Sequence, residues 1–246
     1  MRARAGGSRL LIAVVAALVA AVAVSAVAPA QGPPPPVSGE QPDPRPSGEY
    51  PPVPEPSAAL RRAGFVAVRA LAPSIRTDVR YATRRNFTGA VVPGYCEPLA
   101  VMKRGAAEDL AAVQRRLAPR GLGLLVYDAY RPARATRSFV RWAERTGNAR
   151  LLSQGYIARR SRHNEGTTVD LTLASLRTGR AVTMGTAFDA FTTRSHTANA
   201  GGAALRNRLT LKRAMEAEGF RNYRREWWHY DHVRLRGPRL DLTLGC

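Results

Sequence analysis

His163 and Asp170 stand in "SRHNEGTTVD", residues 161–170, with Gly166 between them. The chain has only four histidines in 246 residues, so a histidine and an aspartate this close invite a chemical reading. Imidazole nitrogen and carboxylate oxygen are donors that zinc prefers, and a catalytic zinc site takes three protein ligands and keeps one position open. Gly166 lets the intervening segment turn back tightly. Asp170 falls inside "TTVDLTL", where an unpaired buried carboxylate is costly and a metal ion removes the cost. The third donor is expected to be a histidine accompanied by a carboxylate that can act as a base. "EWWHY" offers both, as Glu226 and His229. A general base must reach the attacking water without ligating the metal itself. In a regular strand positions 226 and 229 face opposite sides, so a bulge or turn is expected between them. Taken singly, each histidine reads as an ordinary core or polar residue and Asp170 as a turn residue. Taken together they read as a ligand set.

The elements that must position these residues can be read from apolar periodicity. Residues 104–117, 133–145 and 204–220 have helical spacing, the first and second closed by Pro119 with Gly121 and by Gly147, the third with Gly219 near its end. Strands are expected at 65–71, from 77 into a loop ending near 89, at 122–130, at 167–176 and at 226–235, with 178–182 as a turn into a neighbour. Helices interspersed with strands of antiparallel character imply an α+β domain, a mainly antiparallel sheet with flanking helices, rather than a doubly wound one.

Residues 1–30 combine a basic start, an uncharged apolar run and small residues at Ala28 and Ala30. This is a secretory signal pattern with cleavage after Ala30; the competing reading is an uncleaved anchor, since the run approaches the length of a membrane span. After cleavage no stable membrane span is expected. No cysteine follows the run and no arginine pair precedes it, which argues against a lipoprotein and against twin-arginine export. Residues 31–57 are proline-rich and read as an extended tether, leaving 58–246 as one domain. Cys96 and Cys246 are the only cysteines; in an exported chain they read as a disulfide that ties down the C-terminus, against the alternative of two unrelated thiols. The formal charge of +20 reflects Ala/Arg-rich composition first and retention among anionic wall polymers second. No nucleic-acid motif or aromatic–basic interleaving accompanies it, so nucleic acid is not an expected partner.

"SRHNEGTTVDLTL" and "EWWHYDHV" resemble the zinc D-Ala-D-Ala dipeptidases of the wider zinc D,D-peptidase superfamily. "RYATRRNFTG" (80–89), "YDAYRP" (127–132) and "TMGTAFDAF…RSH" (183–196) point to the dipeptidase branch. The resemblance runs from about residue 65 to 240 in five ordered motifs. It implies a zinc D,D-peptidase-like fold, one zinc held by His163, Asp170 and His229, and Glu226 as general base and then acid. It puts Arg131 over the scissile carbonyl, where a permanent cation stabilises the developing oxyanion, with Asp128 orienting Arg131. It matches Asp189 and Tyr81 to positions that hold the substrate ammonium, and Ser161 to one near the other end of the dipeptide. Thr168 departs from the pattern, which usually has alanine there. His196, within a family-like "RSH", and His232 receive no role.

The leading reading is therefore a secreted zinc dipeptidase acting on D-Ala-D-Ala, in cell-wall peptide turnover or D-Ala salvage, with wall association as the second explanation of its charge. A D,D- or L,D-carboxypeptidase acting on peptidoglycan stem peptides is the second reading. A non-catalytic wall-binding module is the third, and an intact Glu226 and Arg131 speak against it.

Overall fold

The computed structural model describes residues 52–246; the signal segment and most of the proline-rich tether read from the sequence lie outside them. Two strands buried along almost their whole length, β4 (Leu122–Asp128) and β5 (Thr168–Ser175), form the centre. Leu124, Val126, Val169, Leu171 and Leu173 on them are fully shielded from solvent. Strands of this kind need cover on both faces. They belong to a five-stranded sheet in the order β2–β4–β5–β7–β6, where β2 is Arg76–Thr77, β6 is Phe220–Asn222 and β7 is His229–His232. Only the β2–β4 pair in this sheet is parallel; the other pairs are antiparallel. A separate antiparallel pair joins β1 (Phe65–Ala67) to β3 (Val101–Lys103). The fold is thus α+β with a mainly antiparallel sheet and flanking helices.

Helices α3 (Arg104–Leu117) and α6 (Gly202–Ala217) pack on each other, α3 against β4 and α6 against β5. The alternation along β7 shows which face they cover. His232 points to α3, its Nε2 2.8 Å from Asp109 Oδ2. His229 and Asp231, of opposite parity, therefore point to the other face, where the pocket lies. Near that pocket α4 (Ala133–Arg145) contributes Phe139 and packs against α5 (Arg150–Ser153). Two short helices, α1 (Ala58–Arg62) and α2 (Val68–Leu71), complete the domain; Ser57 caps the first through its hydroxyl, which accepts from Leu60 N.

Some expected elements are shorter than their periodicity suggests. The strand expected at 65–71 ends at Ala67, because β3 offers partners only from Val101 to Lys103; the chain then closes its hydrogen bonds locally as α2. The third helix stops at Ala217 rather than reaching 220: Gly219 adopts a left-handed φ of 83° and Phe220 starts β6. Such a C-terminal glycine is a common helix stop. The last strand begins at His229 rather than at 226.

Cys96 and Cys246 are joined by a disulfide that closes a separation of 150 residues. The adjoining backbone is paired as well, Cys96 N and Glu97 N both donating to Leu244 O. Replacing both cysteines by serine is expected to lower the unfolding free energy by about 2–5 kcal/mol. Denaturant unfolding of oxidised wild type against the double variant checks this.

Candidate active site

The site is a rung across three strands. Asp128 on β4 lies opposite Asp170 on β5, and Asp170 lies opposite His229 on β7. Directly opposed residues of antiparallel strands share a face. The register slips between Val126 and Asp128, and that slip matters. A regular ladder would set Tyr127 opposite Asp170 and turn Asp128 to the helix side; the bulge re-aims Asp128 into the site.

His163 reaches the rung from a 3₁₀ turn, Arg162–Glu165, capped by the Ser161 hydroxyl, which accepts from His163 N. The turn ends at Gly166 with φ 76°, and a Cβ there would sit 2.2 Å from the Phe65 ring. The tight return expected at Gly166 therefore has two causes, backbone conformation and close packing. Glu226 is placed by consecutive turns: Glu226 N donates to Tyr223 O and His229 N to Glu226 O. This local bend brings Glu226 Oε2 within 3.8 Å of His229 Nδ1.

The hydrogen bonds select which ring nitrogens face inward. His163 Nδ1 lies 2.7 Å from the Ala129 carbonyl. A carbonyl only accepts, so Nδ1 carries the proton and Nε2 keeps its lone pair. His163 Nε2 lies 3.3 Å from His229 Nδ1, and His229 Nδ1 lies 3.0 Å from Asp170 Oδ1. Donor atoms of His163, Asp170 and His229 all fall within 4.8 Å of one another. Lone pairs and a carboxylate converging on one point repel unless a proton or a cation lies between them. Two imidazole nitrogens and one carboxylate oxygen suit zinc, so these residues fit the expected metal.

The electrostatics agree. Burial disfavours a charged His229, yet the Asp170 and Asp231 carboxylates outweigh it and raise its pKa to about 10. Asp170 is also buried, which alone would raise its pKa; His163 and His229 hold it below the usual carboxylate range instead. Burial raises Glu226 to about 7, against the opposing pull of His229. A divalent cation on the three donors would add an opposite charge and draw Glu226 back toward ionisation.

Arg131 lies beside this set. Its Nε donates to Asp128 Oδ2 at 2.8 Å, and its Nη2 lies 3.3 Å from Asp170 Oδ2. Its guanidinium carbon is 5.1 Å from the ring centres of both Tyr81 and Phe139. Tyr81 donates through its hydroxyl to Asp189 Oδ2 at 3.0 Å. Asp189 has a left-handed φ of 58°, the one non-glycine residue with positive φ among those described. Desolvation and the nearby Asp170 push its pKa well above the usual carboxylate value. It is a carboxyl short of a cation.

One pocket of about 240 Å³ joins these groups; it is lined by Tyr81, Arg131, Ser161, His163, Asp170 and Asp189, and by Glu226 and His229. That is below the roughly 300–1,000 Å³ of drug-sized sites. Of the residues singled out in the sequence, Asp128 stands behind the lining through Arg131. His196 does not line the pocket but contacts Tyr156, which does. His232 belongs to the opposite face.

Sequence reasoning missed Tyr95, whose hydroxyl donates to Asp128 at 2.6 Å. Nothing around Tyr95 announces this role, because its partner is 33 residues away. It also missed Asp231, 3.4 Å from His229 Nε2; here strand alternation after His229 was an available signal.

The family described as D-ala-D-ala dipeptidase matches residues 61–237. A D-alanyl-D-alanine dipeptidase of Enterococcus faecalis is 40% identical over 182 residues, covering 68% of this chain and 90% of the relative. One from Streptomyces coelicolor is 39% identical over 181 residues with the same coverage. One from Escherichia coli is 31% identical over 169 residues, 68% of this chain and 83% of the relative. The chain belongs to the D-Ala-D-Ala dipeptidase family, a zinc-dependent family of metallopeptidases.

Proposed function

We propose that the protein hydrolyses the free D-Ala-D-Ala dipeptide in one small pocket that engages both of its ends. The observation that carries this reading is the convergence of three metal donors, a separate carboxyl at Glu226 and, at Asp189, a carboxyl bonded to the Tyr81 hydroxyl but to no cation among the described residues, all around one cavity. The relatives' names supply the substrate.

His163, Asp170 and His229 would hold zinc, which supplies a Lewis acid and lowers the pKa of water toward neutrality. Glu226 takes a proton from the attacking water as oxygen adds to the scissile carbonyl carbon. It then delivers that proton to the leaving nitrogen as the C–N bond breaks, which balances the hydrolysis. Arg131, fixed by Asp128, stabilises the negative charge that develops on the carbonyl oxygen. Asp189 and Tyr81 hold the substrate ammonium, and Ser161 lies toward the carboxylate end.

A clamp on both ends measures length. With an acylated amino end no ammonium reaches Asp189, and its desolvated carboxyl keeps only the Tyr81 hydroxyl. A charge-assisted hydrogen bond is about twice as strong as a neutral one, and its loss with that desolvation lowers kcat/KM by roughly 10²-fold. Assay of the purified protein with zinc on D-Ala-D-Ala, N-acetyl-D-Ala-D-Ala and a stem pentapeptide checks the prediction. Cleavage of the pentapeptide as fast as the dipeptide would replace this reading with a carboxypeptidase.

We place the activity outside the cytoplasm, on the signal pattern of residues 1–30 and with 58–246 as the catalytic domain. Arg2, Arg4 and Arg9 of the signal segment account for only 3 of the charge of +20, and the remaining basic excess would retain the protein among anionic wall polymers. Turnover of wall fragments or salvage of D-Ala are the roles that fit such a site. Dipeptide accumulation in the culture fluid of a deletion strain tests this.

A further inference from the structure

Asp231 is not one of the three donors. It sits two residues beyond His229 on the same face of β7, against the edge of the ring that points away from the other ligands. Asp231 Oδ1 lies 3.4 Å from His229 Nε2, while Nδ1 faces Asp170 and His163. Asp231 is itself held from two sides. Thr168, its direct cross-strand partner, donates its hydroxyl to Oδ1 at 2.7 Å. Arg162 Nη1 lies 3.3 Å from Oδ2. Arg162 is in turn anchored, its Nη2 donating to the His232 carbonyl at 2.9 Å.

We propose that Asp231, buttressed by Thr168 and Arg162, is a positioning residue that keeps the proton of His229 on Nε2 and presents Nδ1 as the metal donor. The inference rests on the metal reading of the site given above. A neutral imidazole has one protonated and one free nitrogen. The Asp231 carboxylate accepts, so the proton sits on the nitrogen facing it and the free pair faces Asp170 and His163. The arrangement mirrors that of His163, where the Ala129 carbonyl takes the outer proton. The two histidines thus present opposite nitrogens, Nε2 and Nδ1, each selected by an acceptor behind the ring. Thr168 gains a role on this account. A hydroxyl there fixes the one carboxylate oxygen that meets the ring, and alanine could not. The Arg162 charge holds the second oxygen away from it.

Outer partners of this kind typically account for 10–100-fold in metal affinity. The full-length protein is titrated with zinc against a chromophoric chelator, as wild type, Asp231→Asn, Thr168→Ala, Thr168→Ser and the Asp231→Asn/Thr168→Ala pair. Expected is about a tenfold to hundredfold weaker affinity for Asp231→Asn, a smaller loss for Thr168→Ala and recovery in Thr168→Ser. If Thr168 acts through Asp231, its alanine change costs nothing further in the Asp231→Asn background. The visible bands of the cobalt-loaded protein should shift in Asp231→Asn, which loss of packing alone does not produce. Wild-type affinity and an unchanged cobalt spectrum in Asp231→Asn would overturn the assignment. Should that variant not fold, Thr168→Ala against Thr168→Ser decides, and equal affinities overturn it. Wild-type protein that takes up no zinc at all would instead sink the metal reading, a different outcome.

Discussion

Glu226→Gln is expected to lower kcat by about 10²–10⁴-fold while leaving zinc bound. The amide fills nearly the same volume but cannot accept the proton that hydrolysis releases. Glu226 is only 8% exposed, so the replacement stays inside the pocket wall. Its Oε2 lies 3.8 Å from His229 Nδ1, and it is absent from the three converging donors. Metal content should therefore not change. Atomic absorption on the purified variant, beside single-turnover rates at saturating dipeptide, separates the two effects. Wild-type turnover in the variant would mean that another group takes the proton. Loss of zinc would mean that Glu226 is a ligand.

His163→Ala should abolish both metal uptake and activity. The wild-type protein is expected to carry about one zinc per chain, as three-ligand sites do. Without His163 only Asp170 and His229 remain, and two donors hold a divalent ion poorly. The variant also loses the bond from Nδ1 to the Ala129 carbonyl, so activity alone would confound damage to the fold with loss of the ion. Thermal unfolding resolves this. A ligand that binds only the native state stabilises it by RT ln(1 + [L]/Kd). Added zinc should raise the Tm of wild type and leave that of His163→Ala unmoved. A zinc-dependent rise in the variant, with full metal content, would rule out this donor set.

The parts of the structure that the sequence disclosed are those whose cause is local. α3 and α4 occupy Arg104–Leu117 and Ala133–Arg145, the limits expected from periodicity and stop residues. Asp170 lies in a strand because "TTVDLTL" is apolar around it. The turn between Glu226 and His229 could be expected because a strand would have separated them. What stayed hidden was set by partners distant in sequence. β6 is three residues of no distinctive pattern that pair with β7. The slip that turns Asp128 inward exists only between two paired strands. Tyr95 serves Asp128 through a loop held by a disulfide to the other end of the domain. Thr168 was visible as a departure from the expected motif, but its hydroxyl acquired meaning only opposite Asp231.

The positive φ of Asp189 has a consequence for anyone who would retarget the pocket. That backbone conformation costs most side chains about 1–2 kcal/mol and is tolerated by asparagine, aspartate and glycine. The position proposed to read the substrate's amino end therefore has a very small usable alphabet. A cation to attract an acidic group, or a bulky apolar residue to seat an acyl cap, would have to distort the loop before it met any ligand. Asparagine is the substitution that keeps both the shape and the backbone while removing the charge. Wider changes of specificity would have to come from Tyr81 and Phe139 on the neighbouring elements, whose backbones carry no such restriction.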